Sequence, residues 1–117
     1  MRHQHKGRSF GRPKNQRTAL MRSLARSLII HEGIATTEAK AKELRPFIEK
    51  LVSHARLDNV ANRRLVSSRL GNDDEIVKKV FGSIAPRYAN RPGGYTRIVK
   101  RAPNAVNARE NAYIAFV

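Results

Sequence analysis

TTEAKAKELRPFIEKLVSHA, residues 36–55, carries the clearest periodicity in the chain. Leu44, Phe47, Ile48, Leu51, Val52 and Ala55 recur at helical spacing, which predicts a long amphipathic helix with one buried face. Thr36 or Thr37 is placed to cap its first turn. Pro46 has no amide donor and crowds the turn before it, so the pattern predicts either a kink or a helix restarting near Arg45.

On the N-terminal side, Ile34 to Thr37 is short and β-branched and follows Gly33, which reads as a strand. Before it, from about Asn15, Leu20, Leu24 and Leu28 predict another amphipathic helix that Gly33 stops, with Arg22 and Arg26 away from the leucines. On the C-terminal side, Asp58 or Asn59 can cap a third helix ending at Gly71. Asn72 and Glu75 have the form of a capping box for a fourth, whose stripe is Ile76, Val77, Val80, Phe81 and Ile84 and which Pro86 ends. Beyond Pro86 the pattern shifts toward alternation. Tyr95 to Arg101 and Ala112 to Val117 read as two strands pairing as a hairpin, with Ile98 across from the Ile114 and Phe116 face and Ile34 in a third strand. The connection from Ala102 to Asn111 is too long for an ordinary hairpin loop, so it is either a binding loop or disordered in isolation.

With 117 residues the chain fits one small domain, here residues 15–117, preceded by a basic arm at residues 1–14. The formal net charge of +15 exceeds what solubility asks for and weakens any compact state held alone, which implies a polyanionic partner. The charge is not spread evenly. The first thirty-one residues contain no acid, and a second acid-free window runs from Ile76 to Arg109, while eight of the nine acids lie between Glu32 and Glu75. Both ends are therefore charged for nucleic acid, and the balanced middle reads as scaffold. The arm has Phe10 as its one large apolar side chain after Met1, so it needs phosphates to become ordered. If roughly six phosphates are neutralised, log affinity falls with log salt at a slope of about −4 to −5.

Signatures of other classes are missing or incomplete. No cysteine is present, so neither a disulfide framework nor a thiolate metal site is available. His3 and His5 have no acid or thiol nearby to complete a ligand set, and His31-Glu32 fails as a zinc-protease motif because Ala35 stands where the second histidine must fall. Gly7 and Gly11 are too close for a phosphate loop. No metal or cofactor is implied, and neither is a small-molecule substrate or a membrane. The segment Arg87 to Arg97 is more informative, because it interleaves arginines, Tyr88 and Tyr95 with Gly93 and Gly94. Arginines can bridge phosphates, tyrosines can pack bases or sugars, and the glycine pair lets amides approach a sugar-phosphate strand. The same residues also suit a simple turn, and either tyrosine also suits the core.

The candidate RNA contacts are therefore Arg2, His3, Lys6, Arg8, Arg12, Lys14, Arg17, Arg22 and Arg26 in the arm and first helix, then Arg63, Arg64, Arg87, Tyr88, Arg91, Gly93, Gly94, Tyr95, Arg97 and Lys100. A sequence-independent DNA-compacting protein would share this charge but bind duplex DNA as well as folded RNA. A basic nuclease would need clustered carboxylates or histidines, and a membrane-active peptide would need an apolar face in the arm.

Met1-Arg2-His3, Gly7-Arg8, Arg12, Arg17, Ala19-Leu20, Arg22, the run Lys40 to Arg45, Asn62 to Leu65, Ala85 to Tyr88 and Gly93 to Arg97 together resemble the bacterial large-subunit ribosomal protein L17 family. The resemblance extends in order over nearly the whole chain. It departs at Pro13 to Gln16, where a serine and histidine stretch is more usual, and at Ala115, where an acid is common. It implies an α+β fold of about four helices packed on a small mixed three-stranded sheet, with a basic extended N-terminal arm threaded into large-subunit rRNA. It further implies a non-catalytic structural constituent of the cytoplasmic large ribosomal subunit, located near the peptide exit side, with ribosomal protein L32 as a neighbour.

Overall fold

The computed structural model describes residues 13–101 and 111–117, so the expectations placed on residues 1–12 of the arm and on the 102–110 connection lie outside the described residues. Helix α1 spans Lys14–His31, strand β1 Gly33–Thr36, helix α2 Glu38–Ala55 and helix α3 Val60–Arg69. A fourth helical run follows in three parts: α4 at Asp74–Lys79, a π-helical turn at Val80–Ile84, and α5 at Ala85–Arg87. Strands β2 (Thr96–Lys100) and β3 (Ala112–Phe116) complete the order.

Helix α2 is the centre of the packing. Its buried face, Ala41, Leu44, Ile48, Leu51, Val52 and Ala55, is the stripe legible in the sequence with Ala41 added at its start. It touches α1, α3, the fourth helical run and strands β2 and β3. Thr37 is its cap, the hydroxyl accepting from the Lys40 amide at 3.2 Å. The helix runs through Pro46 without the restart near Arg45 that the sequence left open. Pro46 and Lys42 are both exposed, so the Lys42 carbonyl deprived of its donor can be solvated.

Three helix ends differ from expectation. Helix α1 stops one residue earlier than Gly33 would impose, because Glu32 itself takes the left-handed conformation at φ 64° and returns its amide to the Leu28 carbonyl at 2.7 Å. Asn72 is not the cap of the fourth run. It sits at φ 63° after Gly71 at φ 78°, and its amide closes α3 onto the Ser67 carbonyl at 2.7 Å, which leaves Asp73 as the α4 N-cap. Asn59 does cap α3, accepting from the Asn62 amide at 2.7 Å. Pro86 does not end the fourth run either. The π-helical turn before it carries the Ala85 amide back to the Val80 carbonyl, and the helix continues to Arg87.

The sheet order is β1-β3-β2, with both pairs antiparallel. This corrects the expectation of a mixed sheet. β1 and β2 run the same way, but β3 inserts between them, so no parallel pair is ever hydrogen-bonded. Ile34, Ile114 and Ile98 stand opposite one another across the three strands and pack on the helices, with Ile114 fully buried at the centre. The hairpin is thus as the alternation indicated, and the third strand at Ile34 as its β-branched run indicated. Replacing Ile114 with alanine leaves a cavity where all three strands meet the helices. The expected loss is about 2–5 kcal/mol in denaturant unfolding, and a loss below about 1 kcal/mol would show that the sheet is not part of the core.

Candidate nucleic-acid interface

The cations of the fold differ in whether they carry a counter-charge within it. At the end of α1, Glu32 receives both guanidinium nitrogens of Arg87, at 2.6 and 2.8 Å, and lies 3.3 Å from Lys79 Nζ. Lys79 also donates to the Ile30 carbonyl at 2.9 Å, and the Glu32 carbonyl accepts from the Phe116 amide at 3.0 Å. One residue therefore ties α1, the fourth helical run and β3 together. Hydrogen bonding from Arg87 and then Lys79 outweighs partial burial and holds the Glu32 carboxyl down to about 2.

Other acids of the middle act in the same way. Arg26 pairs with Asp73 and with Glu75, the latter at 3.0 Å, joining α1 to α4 and holding the guanidinium above its ordinary range. Arg63 forms a fork on Asp58, at 2.6 and 2.9 Å, and lies over the Phe81 ring at 4.8 Å. Asp58 is correspondingly shifted down. Glu38 lies 2.7 Å from Lys42 and 3.7 Å from Lys100, and its carboxyl is lowered, chiefly by Lys42. Arg22 instead donates to the Arg69 and Ser68 carbonyls, each at 3.3 Å, and so caps the end of α3.

The Arg87 to Arg97 segment is held from inside. Glu49 on α2 accepts from the Gly94 amide at 3.0 Å, the Thr96 amide at 2.9 Å and the Thr96 hydroxyl at 2.8 Å. The Gly94 amide, at φ 65°, therefore faces an internal carboxylate rather than an RNA phosphate. Gly93 has open space around it. Tyr88 and Tyr95 are core residues, 4% and 0% exposed, their rings 5.1 Å apart. Tyr88 Oη donates to the Val117 carbonyl at 2.5 Å, and burial raises its pKa. Tyr95 Oη meets Ser53 at 3.1 Å and Arg56 at 3.2 Å. Neither tyrosine has a ring face free for a base, which replaces the base-packing alternative with the core one.

The remaining candidates lie on the outside. Lys14, Arg64, Arg91 and Arg97 are exposed and have no ion pair within the described residues, and Lys100 has only its long contact to Glu38. Arg64 shares the walls of an open cleft of 510 Å³ between α3 and α4 with Lys78, which sequence reasoning did not single out. The signal was available, because the Ile76, Val77, Val80 and Phe81 stripe leaves position 78 facing away from the core. Arg91 and Arg97 flank the Glu49-held turn, so that turn presents arginines to solvent. Arg17 is half-buried on α1, and Arg2, His3, Lys6, Arg8 and Arg12 lie outside the described residues.

Among the described residues no group of three His, Cys, Asp or Glu is placed to hold a metal, and no helix is long and apolar enough to cross a membrane. A small α+β scaffold that engages most of its described acids internally and turns its surplus cations outward defines a class: basic scaffolds suited to a polyanion. Comparison with known proteins narrows it. Residues 20–117 match the family model described as Ribosomal protein L17, and over 117 residues the chain is 50% identical to the large ribosomal subunit protein bL17 of Sphingopyxis alaskensis, covering 100% of this chain and 84% of that protein. The chain belongs to the ribosomal protein L17 family, whose members are non-catalytic structural proteins.

Glu32 gives the sharpest test of the internal ion pairs. Its carboxyl titrates near 4.5 when unperturbed and near 2 in the fold, so its contribution is fully present above about 4.5 and disappears as pH falls through about 2. Glu32→Gln should lower stability at neutral pH by roughly 1 kcal/mol after allowance for solvent screening, and acid unfolding should lose steepness in that window. Unchanged neutral stability with an unchanged acid profile would contradict the clamp.

Proposed function

We propose that this protein is a structural constituent of the large ribosomal subunit that binds and organises large-subunit rRNA by neutralising its phosphates, and so contributes to translation. Family membership supports this reading, as does the name of the relative from Sphingopyxis alaskensis, a large ribosomal subunit protein. The observation that carries the mode of binding is the separation of cations into two sets. Arg26, Arg63 and Arg87 already face carboxylates, whereas Lys14, Arg64, Arg91 and Arg97 do not. In this reading the helical core is a rigid spacer, residues 15–117 form one domain, and residues 1–14 are a basic arm that orders on RNA. The exposed cations on α1, the α3–α4 cleft and the β2 turn hold separate RNA segments in register. The neighbours are other large-subunit proteins, including L32, and the place of work is the ribosome in the cytoplasm.

The test is the salt dependence of binding to purified large-subunit rRNA, with duplex DNA as competitor. Alanine at Arg64, Arg91 or Arg97 should reduce the slope of log affinity against log salt by about 0.7–0.9 each and leave the unfolding midpoint in place. Arg87→Ala should do the reverse, lowering the midpoint with a smaller effect on slope. A flat wild-type slope, or equal competition by duplex DNA, would overturn the proposal, the second result favouring a DNA-compacting protein.

A further inference from the structure

Among the described residues, Tyr113 is the aromatic that neither the core nor the clamps use. It lies on β3 between Ala112 and Ile114, both fully buried, so its own side chain stands on the opposite, outward face of the sheet. Ala35 of β1 and Val99 of β2 are its direct neighbours across the strands. The next row on the same face is Gly33, Ala115 and Arg97. This floor is made of small residues, with Val99 46% and Tyr113 41% exposed.

The ring is held down rather than standing free. A Cβ placed on Gly33 would fall 2.2 Å from Tyr113 Oη and 2.8 Å from Cζ, so only glycine lets the ring lie across β1. One side of the tyrosine covers bare backbone and the rest is open to solvent. Arg97 on β2 and Arg101, one residue past its end with its amide bonded to the Asn111 carbonyl at 2.8 Å, lie two residues to either side of Val99, hence on the same outward side and diagonal to the ring. Both are exposed, neither has an ion pair within the described residues, and the outward rows of the sheet contain no acid.

A preset aromatic ring, a flat floor and two unpaired guanidinium groups match an unpaired nucleotide, with its base on the ring and its phosphates on the arginines. A protein surface would need acids to meet the same arginines. We propose that Tyr113 is a stacking platform for an unpaired base of large-subunit rRNA, with Arg97 and Arg101 engaging the adjoining phosphates. This rests on the rRNA reading above and assigns it a base-contacting site.

The chain has no tryptophan, so Tyr113→Trp creates a single indole reporter in the full-length protein. On binding large-subunit rRNA its emission should be quenched and its access to acrylamide reduced. Tyr113→Phe should bind as the wild type does, while Tyr113→Leu, which keeps an apolar cover over Gly33, should lose about tenfold in affinity with an unchanged circular dichroism spectrum. Ultraviolet crosslinking of the unsubstituted protein in large subunits should join residue 113 to a nucleotide. Full rRNA affinity in the Leu variant, a bright and accessible indole in the bound state, or a crosslink from residue 113 to protein alone would each overturn the platform while leaving the rRNA reading intact. Loss of rRNA binding by the wild type itself would overturn both.

Discussion

The Glu32 carboxylate sits where the first helix turns into the sheet, and much of the architecture converges on it. Its left-handed backbone redirects the chain out of α1, at a cost of order 1 kcal/mol for a residue with a side chain. The Arg87 fork and Lys79 offset that cost by drawing the fourth helical run against the end of α1, while the Phe116 amide ties β3 to the Glu32 carbonyl. A chain with a formal net charge of +15 has few acids with which to oppose its own repulsion. Several of them join elements far apart in sequence, among them Glu32 to Arg87, Asp73 to Arg26, and Glu49 to the Gly94 turn.

That placement explains how one charge distribution serves both folding and binding. An arginine facing a carboxylate gives up part of its field to the scaffold, whereas an arginine without one keeps it for a phosphate. The acidic middle of the sequence is thus the means by which the core tolerates its cationic surroundings. The outward cations lie on helix, cleft and strand surfaces that the same core holds rigid, so the proposed binding of several RNA segments would require little reorganisation of the globular part.

The fold was largely legible in the sequence where periodicity was strong. The α2 stripe and the hairpin follow from apolar spacing, and the β1 strand at Ile34 from its β-branched run after Gly33. The misses arose where backbone geometry or a distant partner decides. Nothing local marks Glu32 as left-handed in preference to Gly33 beside it, Asn72 joins Gly71 in the left-handed region instead of capping, and strand order depends on β3 inserting between β1 and β2. The candidate site was legible as a list of cations but not as a partition. Arg87 and Arg97 look alike in a basic window, yet one is opposite a glutamate fifty-five residues away and the other is at a sheet edge. Tyr88 and Tyr95 sat in the more suggestive motif and proved to be core, while Tyr113, marked outward by the alternation of its own strand, was passed over.

The account turns on whether the cations divide into those engaged by the fold and those left for RNA. Arginine-selective dicarbonyl labelling, read by mass spectrometry on the free protein and on large subunits containing it, addresses this residue by residue. Arg64, Arg91 and Arg97 should react quickly in the free protein and become protected in the subunit, while Arg26, Arg63 and Arg87 react slowly in both. Uniform labelling of all six in the free protein, or continued labelling of Arg64, Arg91 and Arg97 in the subunit, would contradict it.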